Sequence, residues 1–201
     1  MGHNNRCRIP HCDTDETLQS ITFRLADSLP RDKLVLLEQE LKCMPEDNRE
    51  TVRRKRIESW LDKGIGCCAL AHPEVAEVTQ DTLKNSNKQK YQLFAWCIMP
   101  THVHVLILQK DSLSKIVQSW KSFTGRWAMA NNKRLGLGVK GKNFWMRDYW
   151  DRYIRNEEHF HAAINYIHQN PVKAGLCGNP QDWRWSSAFP DNAWVIECGE
   201  E

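Results

Sequence analysis

The chain has 201 residues, a formal net charge of +3, 41% hydrophobic and 26% charged residues, a balance that suits one globular core. No apolar run approaches the roughly 18 residues that span a bilayer, which excludes a membrane segment as an expectation. The N-terminus lacks the apolar core of a signal peptide, and the eight cysteines show no paired C-x-x-C knuckles. A cytoplasmic protein with thiols rather than disulfides is therefore expected. His3, Cys7, His11 and Cys12 cluster near the start, but without the turn signals of a four-ligand zinc site they read as a loose arm.

In chain order, an arm over 1–19 precedes Ser20–Leu25, whose alternating apolar and polar residues predict a half-buried strand. Leu34, Leu37 and Leu41 recur at helical spacing after Pro30 and predict a helix from Arg31 to Lys42. Glu46 to Lys63 is a charged stretch with Ile57, Trp60 and Leu61 on one side, read as a helical insertion to which no role is assigned. Pro73 opens another helix through Val75, Val78 and Leu83, closed by Asn85-Ser86-Asn87. Tyr91 to Ile98 is a strong strand.

Only Met99-Pro100-Thr101 separates that strand from His102 to Leu108, so the two should form a hairpin. Side chains two apart on a strand share a face, which makes His102 and His104 neighbours. Such a pair can chelate a metal through neutral ring nitrogens, or simply occupy a polar sheet surface; the spacing leaves both readings open. Ser112 should cap a helix over Leu113–Ala130, followed by a Gly- and Lys-rich loop to Asn143 and a strand at Phe144–Met146. Asn156 should cap a helix from Glu157 to about Gln169, stopped at Asn170 because the residue before Pro171 resists the α region. Tyr166 and Asn170, four apart, share a face of that helix. The main domain is placed at 20–175 and a tail at 176–201, in which Trp183 and Trp185 can pack back onto the body.

Between Lys115 and Lys173 there are eleven Lys or Arg against four acids, interleaved with Trp120, Trp127, Trp145 and Trp150. This block can contact phosphates while its rings stack on bases, or it can be a solvated basic face over core tryptophans; composition does not decide.

Met-Pro-Thr-His-Val-His over 99–104, Trp-Lys-Ser-Phe-Thr from Trp120, Asp148–Arg155, Tyr166–Leu176 and Trp183–Ala188, with the earlier Thr22–Leu25, together resemble the REP-associated tyrosine transposases. These are relatives of the single-tyrosine HUH transposases, and the resemblance covers nearly the whole chain. It implies an α+β fold, the HUH endonuclease fold with its ferredoxin-like core, in which helices pack on a central antiparallel sheet. It further implies a metal site at His102 and His104 with Asn170 as third ligand, and Tyr166 as the nucleophile. The family's usual Asn before the first histidine is replaced here by Thr101.

The activity implied is metal-dependent cleavage and rejoining of single-stranded DNA, with Mg²⁺ or Mn²⁺ as cofactor and a 5′-phosphotyrosine intermediate. Only about one tyrosine in a thousand is ionised at neutral pH, so the hydroxyl needs such help. The target implied is a REP-type hairpin, bound by a monomer or a homodimer. Arg152 and Arg155 are the first candidates for phosphate contact, with Lys121, Arg126 and Lys173 behind them. A REP-binding protein without strand transfer is the alternative reading.

Overall fold

An antiparallel sheet of four strands, in the order β2-β3-β1-β4, is the frame on which everything else sits. The computed structural model describes residues 17–192; the His3, Cys7, His11, Cys12 cluster and the end of the tail lie outside them. β1 spans Thr17–Arg24, β2 Tyr91–Ile98, β3 His102–Gln109 and β4 Trp150–Tyr153. The helices are α1 (Arg31–Lys42), α2 (Glu46–Leu61), α3 (Pro73–Asn85), α4 (Leu113–Leu135) and α5 (Glu157–Lys173). This is the α+β arrangement expected from the sequence.

β3 is central and buried almost throughout, so its side chains alternate between two apolar layers. Val103, Val105 and Ile107 join Ile21, Phe23, Trp96 and residues of α3 and α4 in the larger core. Leu106 and Leu108 join Leu18, Phe94, Phe160 and Ile167 in a second core beneath α5. By the same alternation, His102 and His104 face the α5 side. A shift in register at Phe94 changes the alternation along β2, sending Leu93 to the first layer and Ala95 to the second.

A third cluster, of Leu29, Leu37, Leu41, Ile57 and Leu61, joins α1 and α2 into a helical hairpin. The hairpin is tied to β3 where the Thr101 hydroxyl donates to the Leu61 carbonyl at 3.1 Å.

The C-terminal segment runs along the outer edge of β2. Ile98 N–H donates to the Trp185 carbonyl at 2.8 Å, Ser187 N–H to the Trp96 carbonyl at 3.0 Å, and Trp183 Nε1 to the Ile98 carbonyl at 3.0 Å. The edge is thereby covered on this side.

Several local expectations are corrected, and β1 itself begins at Thr17, inside the stretch expected as an arm. α4 runs to Leu135 rather than Ala130, because Asn131 Nδ2 donates back to the Trp127 carbonyl and Asn132 serves the helix end by bonding Val139, before Gly136 turns left-handed at φ +62°. Ser112 stands at its N-cap but bonds the Ser114 hydroxyl instead of the helix backbone. Phe144–Met146 contributes only a bridge between Leu25 and Trp145, and the fourth strand is Trp150–Tyr153.

α5 continues through Pro171 to Lys173, past the expected stop at Asn170. The proline removes one donor in the last turn, and Ala174 N–H to Asn170 carbonyl (2.9 Å) and Leu176 N–H to Pro171 carbonyl (2.9 Å) close the end. Asn156 does cap this helix, accepting from His159 N–H at 2.8 Å.

Candidate active site

His102 and His104 lie side by side on β3 with their Nε2 atoms 3.0 Å apart. Each outer nitrogen is held by a threonine. His104 Nδ1 is 2.9 Å from the hydroxyl of Thr22, its cross-strand partner on β1, and His102 Nδ1 is 3.0 Å from the Thr101 hydroxyl. The Thr101 hydroxyl has one proton, and the Leu61 carbonyl can only accept it. His102 Nδ1 is then the donor toward Thr101, which leaves His102 Nε2 as the acceptor in its 3.0 Å contact with His104 Nε2.

Both histidines are almost fully buried, so the charged form is disfavoured. Burial, then repulsion from His104, holds His102 well below the ordinary imidazole range; burial, then the Lys173 cation, lowers His104 to about 3. Two neutral imidazoles with converging nitrogens and oriented outer partners fit a divalent cation. Among the described residues no group of three or more His, Cys, Asp or Glu adds a further such site.

α5 supplies the opposite wall. The ring of Tyr166 meets His104 edge to face, with centroids 5.6 Å apart and planes at 84°, so a single chain brings the two together. Asn170, buried one turn further on, donates Nδ2 to the Tyr166 carbonyl at 2.7 Å. That commits the amide nitrogen and leaves Oδ1 as the atom with lone pairs to offer a cation.

Lys173 Nζ sits 4.8 Å over the Tyr166 ring, a cation–π contact. Burial is the largest cause of the raised pKa of the Tyr166 hydroxyl, followed by the charge and hydrogen bonding of Glu58 and the charge of Asp62; Arg54 opposes them. Asp62 is itself raised to about 6, first by burial, then by Glu58, against Lys173.

Glu58, Asp62 and Arg54 belong to α2 and the residue that ends it, the insertion that sequence reasoning left without a role. The signal was present as acids four apart beside the buried Ile57 and Leu61, but nothing in the sequence said which helix they would face.

The other site candidates divide between the two faces of the sheet. Arg152 lines a cleft of about 560 Å³ with Tyr166, Glu58 and Arg54, and Lys173 stands at Tyr166 itself. Arg155 is exposed just beyond β4, its backbone N–H near His159 Nδ1. Lys121 and Arg126 lie on α4, in the layer opposite the histidines, where they line a separate cleft with Lys142 and Arg147; Lys121 Nζ donates to the Arg147 carbonyl at 2.6 Å.

Of the two readings left open for the tryptophans, the core reading holds for two of the four. Trp120 and Trp145 are buried in the larger core, where their indoles donate to the Tyr91 hydroxyl and the Thr124 hydroxyl. Trp127 packs against that core and Trp150 against the α1–α2 cluster.

The curated relatives agree in kind. A REP-associated tyrosine transposase from Escherichia coli (strain K12) is 26% identical over 111 residues, which cover 55% of this chain and 62% of the relative. A putative REP-associated tyrosine transposase from Haemophilus influenzae is 28% identical over 109 residues, covering 50% and 61%. The chain thus spans about three fifths of the length of the curated relatives it matches.

A solved structure described as a REP-associated tyrosine transposase bound to a REP hairpin shares the fold, with a TM-score of 0.50 at 17% identity, covering 100% of this chain and 95% of that one. The family model described as "Transposase IS200 like" matches residues 70–170, a segment that holds His102, His104, Tyr166 and Asn170. On that match, which takes in half of its length, the chain belongs to the IS200-like transposase family.

Proposed function

We propose that this protein cuts and rejoins single-stranded DNA beside a REP-type hairpin, with Tyr166 as nucleophile and a divalent cation held by His102, His104 and Asn170 Oδ1. The observation that carries the reading is the edge-to-face packing of Tyr166 on His104, whose Nε2 converges on that of His102 within one chain. The names of the relatives and the description of the fold neighbour support a REP hairpin as target.

A bound Mg²⁺ or Mn²⁺ would neutralise the scissile phosphate and hold it in line for attack. The protein's own groups do the rest. Thr22 and Thr101 orient the imidazoles, and α5 carries the nucleophile and the amide on one rigid element. Arg152 and Lys173 supply positive charge along the approach to Tyr166. Attack by the Tyr166 oxygen on phosphorus displaces the 3′ oxygen and leaves a 5′-phosphotyrosine, which preserves the phosphodiester energy for rejoining without a nucleotide cofactor.

The test is to incubate the full chain with Mn²⁺ and a hairpin oligonucleotide carrying single-stranded flanks, and to resolve covalent protein–DNA adducts under denaturing conditions. The wild type is expected to form an adduct that Tyr166→Phe does not form, while both proteins bind the hairpin more tightly than a scrambled control at the same salt. Equal adduct from Tyr166→Phe overturns the nucleophile. Hairpin binding with no adduct from the wild type overturns strand transfer and leaves a binding protein.

A further inference from the structure

The register of the sheet carries a row of side chains away from the histidines. Trp150 of β4 pairs with Thr22 of β1, and Thr22 with His104 of β3, so Trp150 shares the face of the histidines two strand spacings, about 10 Å, from His104. In the next row on that face Arg24 pairs with His102. Trp150 lines the cleft of Tyr166 and also a second cleft of about 590 Å³ with Arg24 in its wall, so the two clefts meet at this indole.

Arg24 is only 5% exposed, and a buried guanidinium is costly unless its charge and its five donors are met. Among the described residues no carboxylate forms an ion pair with it. Its side-chain hydrogen bond runs from Nη1 to the Ser28 hydroxyl at 3.1 Å, and the Ser28 proton is itself committed to the Leu25 carbonyl at 2.7 Å. The turn after β1 therefore aims the guanidinium without neutralising it. None of its other nitrogens is sealed from the surface without a partner; they open on the second cleft, with the guanidinium carbon 5.7 Å from the centre of the Trp150 ring.

That cleft is basic on balance: Arg24, Lys42 and Arg53 stand against Glu38 and Asp148, and the Glu38 carboxylate is taken up by Arg53 at 2.8 Å. An unpaired guanidinium fork suits a phosphate, and a half-buried indole beside it suits a base. A free phosphate would answer Arg24 but would make no use of the indole or of the junction with the Tyr166 cleft.

We propose that Arg24 and Trp150 form a subsite for one nucleotide of the single-stranded flank, its backbone phosphate on the guanidinium and its base against the indole. The inference rests on the reading that this protein acts on single-stranded DNA beside a hairpin. The walls of the subsite come from Leu34 and Lys42 of α1 and Arg53 and Ile57 of α2, outside the segment matched by the family model, which gives the helical insertion a share in selecting the strand.

The experiment measures the Kd of the full chain, without added metal and at one salt concentration, for a hairpin with single-stranded flanks and for the same hairpin without them. The wild type is expected to favour the flanked form by about 10-fold or more, the scale of one stacked base. Arg24→Gln and Trp150→Leu are expected to cut that ratio to within threefold, with the Kd for the bare hairpin unchanged. Arg24→Gln also removes the donor to Ser28, so the wild type carries a second measurement: 5-iodouracil at successive flank positions, irradiated, with the cross-linked peptide identified by mass spectrometry. A cross-link to Trp150 from at least one position is expected. A bound hairpin with no flank dependence, a wild-type ratio in either folded variant, or cross-links that all fall outside this cleft overturns the subsite. Protection of the wild type from thermal unfolding by millimolar inorganic phosphate, lost in Arg24→Gln and without flank dependence, assigns the cleft to a free anion and also overturns it. Flank dependence with the Trp150 cross-link but no covalent adduct in Mn²⁺ supports the subsite and overturns strand transfer alone; failure to bind any hairpin overturns both.

Discussion

Thr22 and His104 face each other across β1 and β3, and the Thr22 hydroxyl lies 2.9 Å from His104 Nδ1. Thr101, next to His102 in the chain, holds the other imidazole, its hydroxyl 3.0 Å from His102 Nδ1. Replacing either threonine by valine keeps the shape and removes the hydroxyl. Thr22→Val and Thr101→Val should each weaken Mn²⁺ binding by roughly 10- to 100-fold, as measured by calorimetric titration or by Mn²⁺ electron paramagnetic resonance. Thr101→Val also strips the Leu61 carbonyl of its donor and should lower stability by about 1–3 kcal/mol; an unchanged chemical-denaturation midpoint would show that water replaces it.

Acid should destabilise the fold through the histidine pair. Both are held neutral inside, with His104 lowered to about 3, while in the unfolded chain they ionise near 6.5. The unfolded state therefore binds more protons below that pH, and the contribution is complete above about 6.5 and lost as pH falls toward 3. The midpoint of thermal unfolding, followed by circular dichroism without metal, should fall over that window, and His104→Gln should show a shallower slope. A slope identical to wild type would place the acid sensitivity elsewhere.

Position on the two sheet faces separates the basic candidates. Arg152→Ala, in the cleft with Tyr166, should weaken hairpin binding, reduce the slope of log affinity against log salt by about one, and slow adduct formation. Lys121→Ala, in the cleft on the α4 side, should leave the rate from the saturated complex untouched whatever it does to affinity. Fluorescence anisotropy at several salt concentrations, paired with single-turnover assays, reads both quantities.

The covered edge of β2 makes a prediction about solubility. Ser187→Ala removes a hydroxyl that accepts from Trp96 N–H at 3.0 Å, and Trp183→Phe removes the indole donor to the Ile98 carbonyl. Each should cost about 1 kcal/mol, and the double variant should aggregate at lower temperature as the strand edge becomes available for pairing. Light scattering during a thermal ramp reads that onset.

Much of this architecture was legible because local pattern and tertiary role coincide. The β2–β3 hairpin, α1 and α3 begin where proline, turn residues and apolar spacing placed them, and the side-by-side histidines follow from the two-residue period of a strand. β4 escaped notice because it is a short edge strand whose Asp151, Arg152 and Tyr153 are exposed, with no alternation to read; pairing with β1 alone makes it a strand. Pro171 misled because a lost donor matters little one turn from the end of a helix anchored by a buried face. Trp120 and Trp145 could equally have been stacking platforms, and only packing decides that they are core. The approach of α2 to Tyr166 was out of reach for the same reason: it depends on contacts between segments about a hundred residues apart.

Asn170 Nδ2 is fastened to the carbonyl of Tyr166, so the proposed nucleophile and the amide are carried by one piece of α5. A helix turns about 100° per residue, and any slip or rotation of α5 large enough to withdraw the phenol would carry the amide oxygen off with it. In the proposed centre, displacement of this single helix would therefore withdraw the nucleophile and the amide ligand together.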